Sequence, residues 1–251
     1  MSLLSKNLEQ LKAASGYKFS ATKMDDLEAM EYTLATVVVD TSGSVSAFLA
    51  QLEQCLKTVF KAMAKSPRAD NLMFRVVHFD DQLYETHGFK LLKNIQEKDY
   101  DNVLQIGGMT ALFESMDEAI QATATYGKQL IQKDYTANGI VVVITDGQNN
   151  RGAIHNPAVV KQSLENARKA ECLESLNVIL VGVTSDDTNL DFYLKDVKDN
   201  AGCDQYVSIG TATPGKIAKL AKFISQSISS TSSSLGTGKA SQPLNPSQFN
   251  F

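Results

Sequence analysis

Three short stretches of the chain carry oxygen donors in spacings that chemistry can use. Asp40-Thr41-Ser42-Gly43-Ser44 offers a carboxylate and two hydroxyls at two-residue intervals, directly after the apolar run Val37-Val38-Val39. Thr145-Asp146-Gly147 closes a second apolar run, GIVVVIT, with another acid, and Gly107-Gly108-Met109-Thr110 places a hydroxyl just before a stretch with helical spacing. Oxygen ligands of this kind suit a hard cation: Mg²⁺ asks for near-octahedral oxygen geometry, keeps waters and is commonly held by few carboxylates. Taken alone, Asp40, Ser42 and Ser44 fit equally well as caps of the following helix, where Ser and Asp are favoured. Thr110 and Asp146 at two further element ends turn the balance toward a shared cation.

Such residues can meet only if the elements before them are neighbouring strands whose carboxyl ends face one crevice. The chain supplies that frame. ATVVVD, MFRVVHF, GIVVVIT, NVILVGV and DQYVSIG read as strands, the third as a central strand buried on both faces. Between them lie helical periods from about Ser46 to Met63, from Ala111 to Ala124, after Asn156-Pro157, from about Leu190 to Asn200, and after Thr213-Pro214-Gly215. A polar, hairpin-like segment spans Leu83 to Leu92. This alternation predicts an α/β, doubly wound, Rossmann-like fold: a mostly parallel central sheet with helices on both faces. Val37 to Val39 are expected at its centre and Met73 to Phe79 beside them.

With those residues in order, DTSGS at Asp40 to Ser44, GGMTAL at Gly107 to Leu112 and ITDG at Ile144 to Gly147, the chain resembles a von Willebrand factor type A domain over roughly Leu34 to Ser230. The three motifs are similar, in content and order, to the family's metal-ion-dependent adhesion site. The resemblance implies that Ser42, Ser44 and Thr110 coordinate Mg²⁺ or Mn²⁺ through their hydroxyls, while Asp40 and Asp146 act directly or through water. Because hydroxyls are neutral and water-bridged carboxylates neutralise the ion incompletely, the metal keeps an electrophilic open position. The implied partner is therefore a protein presenting an Asp or Glu side chain, and the implied activity is non-enzymatic binding or scaffolding. The Ser-rich stretch FISQSISSTSSS is similar to bacterial and phage proteins of the tellurium-resistance type, which are cytoplasmic and tied to stress or defence. The acid that integrin-type members use near the end of the last helix has no counterpart, since Thr213 to Ser234 contains neither Asp nor Glu.

Other chemistries find less support. A phosphatase on a similar strand end would want an acid where Ser42 stands, so a metal-dependent phosphohydrolase ranks third, behind a subunit whose site is filled within a homo-oligomer. Gly43-Ser44-Val45-Ser46 lacks the final Gly of a nucleophile elbow, and no GxGxxG follows the first strand. His78 reads as a hydrogen-bonded core residue of an apolar strand, His87 and His155 as surface loop residues. The balance of 24 Lys plus Arg against 28 Asp plus Glu gives a net charge of -4, so no basic field exists for nucleic acid or anionic lipid. Cys55, Cys172 and Cys203 have no CxxC spacing, no leader pattern opens the chain and no apolar stretch is long enough for a membrane, so a cytoplasmic protein is expected.

The 251 residues divide by pattern into an N-terminal extension over 1–33, the type A-like region over 34–232 and a Ser/Gly/Pro-rich tail over 233–251. Leu3, Leu4, Leu8 and Leu11 suggest a short amphipathic helix in the extension. The tail is expected to be mobile and dispensable for stability, with Leu244, Phe249 and Phe251 as points that could order against a partner or a second copy.

Overall fold

The apolar runs become strands because they are buried on both faces, and their spacing along the chain leaves room for a helix between each parallel pair. The computed structural model describes residues 7–251. Strands β1 (Leu8–Lys12) and β2 (Lys18–Thr22) are followed by β3 (Glu31–Asp40), helix α1 (Leu49–Ala64), β4 (Leu72–Phe79) and β5 (Leu83–Leu91). Then come α2 (Leu112–Ile131), β6 (Thr136–Thr145), α3 (Pro157–Lys169), β7 (Leu176–Gly182), α4 (Thr188–Ala201), β8 (Gln205–Ser208) and α5 (Pro214–Ser234).

All eight strands form one sheet in the order β1-β2-β5-β4-β3-β6-β7-β8, antiparallel at β1/β2 and β4/β5 and parallel elsewhere. Val37 pairs with Val76 on one side and Val142 on the other, so β3 is central and β4 lies beside it, as the sequence predicts. From β3 the chain winds outward to β4 and later returns to β6 on the other side. The carboxyl ends of β3 and β6 therefore flank a topological switch point, the place where open α/β sheets bind ligands. Alternation of side chains sends Val37, Val39 and Val142 toward α1 and α5, and Val38, Val141 and Val143 toward α2, α3 and α4. Asn156, Asp187 and Thr213 cap α3, α4 and α5, each accepting from a backbone N–H of the first turn.

The extension differs from expectation. Leu8 and Leu11 lie in a strand rather than a helix, and Leu3 and Leu4 fall outside the described residues. A turn at Gly16, whose φ of 100° suits glycine, folds β1 back on β2. Phe19 and Ala21 of β2 then join Leu34, Met73, Phe89 and Tyr126 in a core cluster of their own.

His87 also departs from expectation: it is buried, 5% exposed. The β4/β5 ladder shifts register between Phe74 and Val77, and that irregularity lets the otherwise polar-looking β5 turn His87 inward. Nδ1 lies 2.9 Å from the Gly88 carbonyl and Nε2 2.8 Å from the Tyr100 hydroxyl, so the neutral ring donates to the first and accepts from the second. Burial, above all, pushes its pKa down from 6.5 to about 4. The folded state thus resists a proton that the unfolded chain takes up, and the stabilisation present above pH 6.5 is lost as pH falls toward 4. This group accounts for about 3 kcal/mol of acid lability. Urea denaturation at stepwise pH checks it: His87→Gln should flatten the slope across that window, and a slope equal to wild type would refute the assignment.

The tail, expected to be mobile, lies packed against the domain. Asn177 Nδ2 donates to Ser241 Oγ at 2.7 Å, Gln205 Nε2 to the Leu244 carbonyl at 2.7 Å, and Lys219 Nζ to the Asn250 carbonyl at 2.6 Å. Phe249 and Phe251 meet the Phe223 ring of α5 edge-on, with centroids 5.2 and 6.0 Å away. These rings cover the chain's own helix, in place of a partner. Removing residues from Gly236 onward should therefore cost about 2 kcal/mol, below a full core Phe because the segment sits at the rim. A truncated chain with an unchanged urea midpoint would contradict this packing. The buried small residues of α5, Ser225, Ser227, Thr231 and Ser232, fit the same packing, since larger side chains there would hold the helix off its neighbours.

Candidate functional site

The switch point gathers the five residues singled out in the sequence from three loops. Asp40 ends β3, Ser42 and Ser44 follow it, Asp146 follows β6, and Thr110 stands two residues before α2. Asp40, Ser42 and Thr110 are buried, Asp146 is half-buried and Ser44 is exposed, so the cluster opens to solvent on the Ser44–Asp146 side. Asp40 Oδ1 accepts from the Ser42 N–H at 2.8 Å, and Oδ2 accepts from the Thr145 hydroxyl at 2.5 Å. The Ser42 and Ser44 hydroxyls are 3.3 Å apart, and Ser44 Oγ donates to Asp146 Oδ1 at 2.8 Å. Thr110 lies close by, across Gly147: a Cβ added there would come within 3.1 Å of the Thr110 hydroxyl and 3.9 Å of Asp40 Oδ2.

Helix capping does not account for this cluster. Helix α1 starts at Leu49, its first turn receives no side-chain cap, and the short 3-10 turn over Gly43–Ala47 receives none either. The hydroxyls face the carboxylates instead.

The electrostatics point the same way. Burial pushes the Asp40 carboxyl up to about 6, offset in part by the Thr145 and Ser42 hydrogen bonds and reinforced by the charge of Asp146. Asp146 is likewise raised by burial. Among the described residues no ion pair reaches either acid, so two desolvated carboxylates share a pocket short of positive charge. A divalent cation supplies that charge, and an all-oxygen set fits a hard ion. The same residues would hold it: Asp40 at the floor, fixed by Thr145 and the Ser42 N–H, with Ser42, Ser44 and Thr110 around it and Asp146 on the open side. Among the described residues no group of three or more His, Cys, Asp and Glu could hold a metal, which leaves this mixed carboxylate and hydroxyl set as the candidate.

Four residues that shape the site are not singled out by the sequence reading. Thr145 holds Asp40, as above. Asp80, just past β4, accepts from the Gln82 N–H at 2.8 Å and from the Gly108 N–H at 3.3 Å. Gly107 packs so tightly over it that a Cβ there would overlap Asp80 Oδ2. Asn150 Oδ1 takes the Thr110 N–H at 2.8 Å, and Asn149 Oδ1 takes the Phe113 N–H at 3.0 Å. An acid at a strand end was a signal available for Asp80, by the logic that found Asp40. The asparagines carry no such signal, because their partners are backbone groups distant in sequence.

A family model described as the von Willebrand factor type A domain matches residues 36–209, which include every one of these residues. The chain belongs to the von Willebrand factor type A family. A search of curated proteins returns no match. Among solved structures, the D319A mutant of the PilB minor pilin from Streptococcus sanguinis shares this type A fold at 14% identity and a TM-score of 0.59, over 85% of this chain and 65% of that one. Proximal thread matrix protein 1 from the mussel byssus, with a zinc occupied MIDAS motif, shares it at 18% identity and a TM-score of 0.50, over 81% and 46%. The pilus adhesin SpaC from Lactobacillus rhamnosus GG shares it at 9% identity and a TM-score of 0.52, over 90% and 32%. This type A chain thus spans less than two thirds of each of these proteins, and at such identities the likeness is one of fold.

Proposed function

We propose that this type A domain is a non-enzymatic binding module that holds Mg²⁺ or Mn²⁺ and captures an Asp or Glu side chain of a protein partner. One observation carries the reading: Asp40 and Asp146 converge with the Ser42 and Ser44 hydroxyls at the carboxyl edge of the sheet, without a basic side chain among the described residues to balance them. The metal-bearing byssus relative supports it as a fold-level parallel. When bound, the ion supplies an electrophilic position for a carboxylate oxygen. The chain's own groups orient the floor through Asp40 and leave the Ser44–Asp146 side open for approach. Ser42 occupies the place where a phosphohydrolase would want its second acid, which favours capture over turnover. The three cysteines are free and buried, which suits the cytoplasm proposed for it.

Affinity capture from the native host, compared between wild type and Asp40→Ala with and without EDTA, tests the reading. A partner retained only by wild type in Mg²⁺ is the expected result. Capture that survives both EDTA and the substitution would overturn it.

A further inference from the structure

Among the described residues, the large apolar side chains left exposed are unevenly placed. Scattered exposed hydrophobics are ordinary on a soluble surface, so their position is the informative part. Tyr84, Ile106, Met109, Val159 and Phe192 lie at the carboxyl edge of the sheet, at or near the ends of loops and the first turns of helices. Met30 and Ile131 stand at the opposite edge. Ile106 and Met109, 41% and 53% exposed, bracket Gly107-Gly108 and lead into Thr110. Phe192, 68% exposed, projects from the first turns of α4 with the Lys195 ammonium 5.6 Å from its ring centroid, while its neighbour Tyr193 receives the Asn149 N–H at 3.1 Å.

Between these side chains the walls are low. Gly43, Gly107, Gly108 and Gly147 surround the oxygen cluster, and the Gly43 N–H donates to the Gly108 carbonyl at 3.2 Å, so backbone rather than side chain forms the rim. In the loops beside it the acids Asp81, Asp186 and Asp187 outnumber the bases Arg151 and Lys216, the latter lying with Asp186 at Gly210. A segment rich in acids would therefore meet net repulsion away from the ion. A single acid flanked by bulky apolar residues would satisfy the ion and cover Met109 and Ile106 at once, Met being a side chain that adapts to varied apolar surfaces.

We infer that Ile106 and Met109 form an apolar collar beside the site that selects a protein segment presenting one carboxylate between large apolar side chains. This inference rests on the metal-dependent capture proposed above and names the kind of segment captured.

Three labelled synthetic peptides of equal length test it by fluorescence anisotropy in Mg²⁺ and in EDTA: one Glu flanked by Leu and Phe, one Glu flanked by Gly and Ser, and a run of Glu. The apolar-flanked peptide should bind about tenfold tighter than the Gly/Ser one, with the acidic run weakest, and all binding should vanish in EDTA. The double variant Ile106→Ser, Met109→Ser should erase the tenfold preference while calorimetry still shows Mg²⁺ uptake. Equal binding of the first two peptides, a preference that survives the double variant, or no peptide binding despite Mg²⁺ uptake overturns the collar and leaves the metal site standing. Absence of Mg²⁺ uptake by the wild type overturns the underlying reading itself.

Discussion

Replacing Asp40 with alanine is expected to abolish Mg²⁺ and Mn²⁺ uptake in a calorimetric titration while the chain stays folded. Asp40 is the carboxylate at the floor of the site, 1% exposed and fixed by the Ser42 N–H and the Thr145 hydroxyl. The core that specifies the fold lies elsewhere, in the valines of β3, β4 and β6 and the helices over them. Asp40→Asn sharpens the test, because the amide oxygen can still accept from the Ser42 N–H while its Nδ2 donates to the Thr145 hydroxyl in a reversed bond, and the charge is lost. Burial of that charge, seen as a carboxyl pushed up to about 6 from 3.8, disfavours the ionised form in the folded state. At neutral pH the Asn variant in EDTA should therefore be more stable than wild type by on the order of 2–3 kcal/mol. With Mg²⁺ at 100 times its dissociation constant the order reverses or closes, since wild type gains about 2.7 kcal/mol from the ion and the variant gains nothing. Equal titration curves for wild type and Asp40→Ala, or an Asn variant that still gains stability from Mg²⁺, would sink the metal assignment.

The framework of this site was legible because its determinants are local. Apolar runs such as Val37 to Val39 and Val141 to Ile144 announce strands buried on both faces, and Asn156-Pro157 and Thr213-Pro214 announce helix starts by capping chemistry. Asp40, Ser42, Ser44 and Asp146 were legible because they follow such runs, and Thr110 because a Gly-Gly loop leads into a helical stretch. What escaped the reading depends on pairing across the chain. Leu8 and Leu11 have helical spacing, yet a short edge strand is decided by its partner: Leu8 pairs with Thr22 and Lys12 with Lys18. His87 lies in LYETHGFKL, which looks like a solvated hairpin arm until the irregular ladder with β4 turns it inward. Phe249 and Phe251 look like isolated sticky points in a polar tail, and only the fold places Phe223 beneath them. Thr145 holds Asp40 through a hydrogen bond that exists only once the ends of β3 and β6 are side by side, and Asp80 reaches Gly108 only in the folded chain.

The support beneath Thr110 gives the second large effect, because α2 is pinned to the sheet by a buried charge. The Arg75 guanidinium of β4 is 1% exposed and lies 5.8 Å from the centroids of both the Phe19 and Phe89 rings. Both Glu118 oxygens of α2 accept from it, at 3.0 Å from Nη1 and 2.6 Å from Nη2, while Glu85 accepts from Nε at 2.9 Å. Glu118→Ala would leave a desolvated cation with Glu85 alone, and breaking such a pair costs about 3–5 kcal/mol. The loss comes from the charge left behind rather than from the worth of the bridge. Exchanging both partners for apolar residues, Arg75→Met with Glu118→Leu, should therefore recover most of the stability, with Glu85 still receiving the Ser20 N–H at 3.0 Å and its own share of solvent. Because Thr110 leads directly into α2, the single variant should also weaken Mg²⁺ binding, and the double variant should restore it. Urea denaturation and calorimetric titration of the three proteins decide the matter. A single variant costing less than about 1 kcal/mol, or a double variant as unstable as the single, would mean that α2 is held by packing alone. The buried pair would then have no part in positioning the Thr110 hydroxyl.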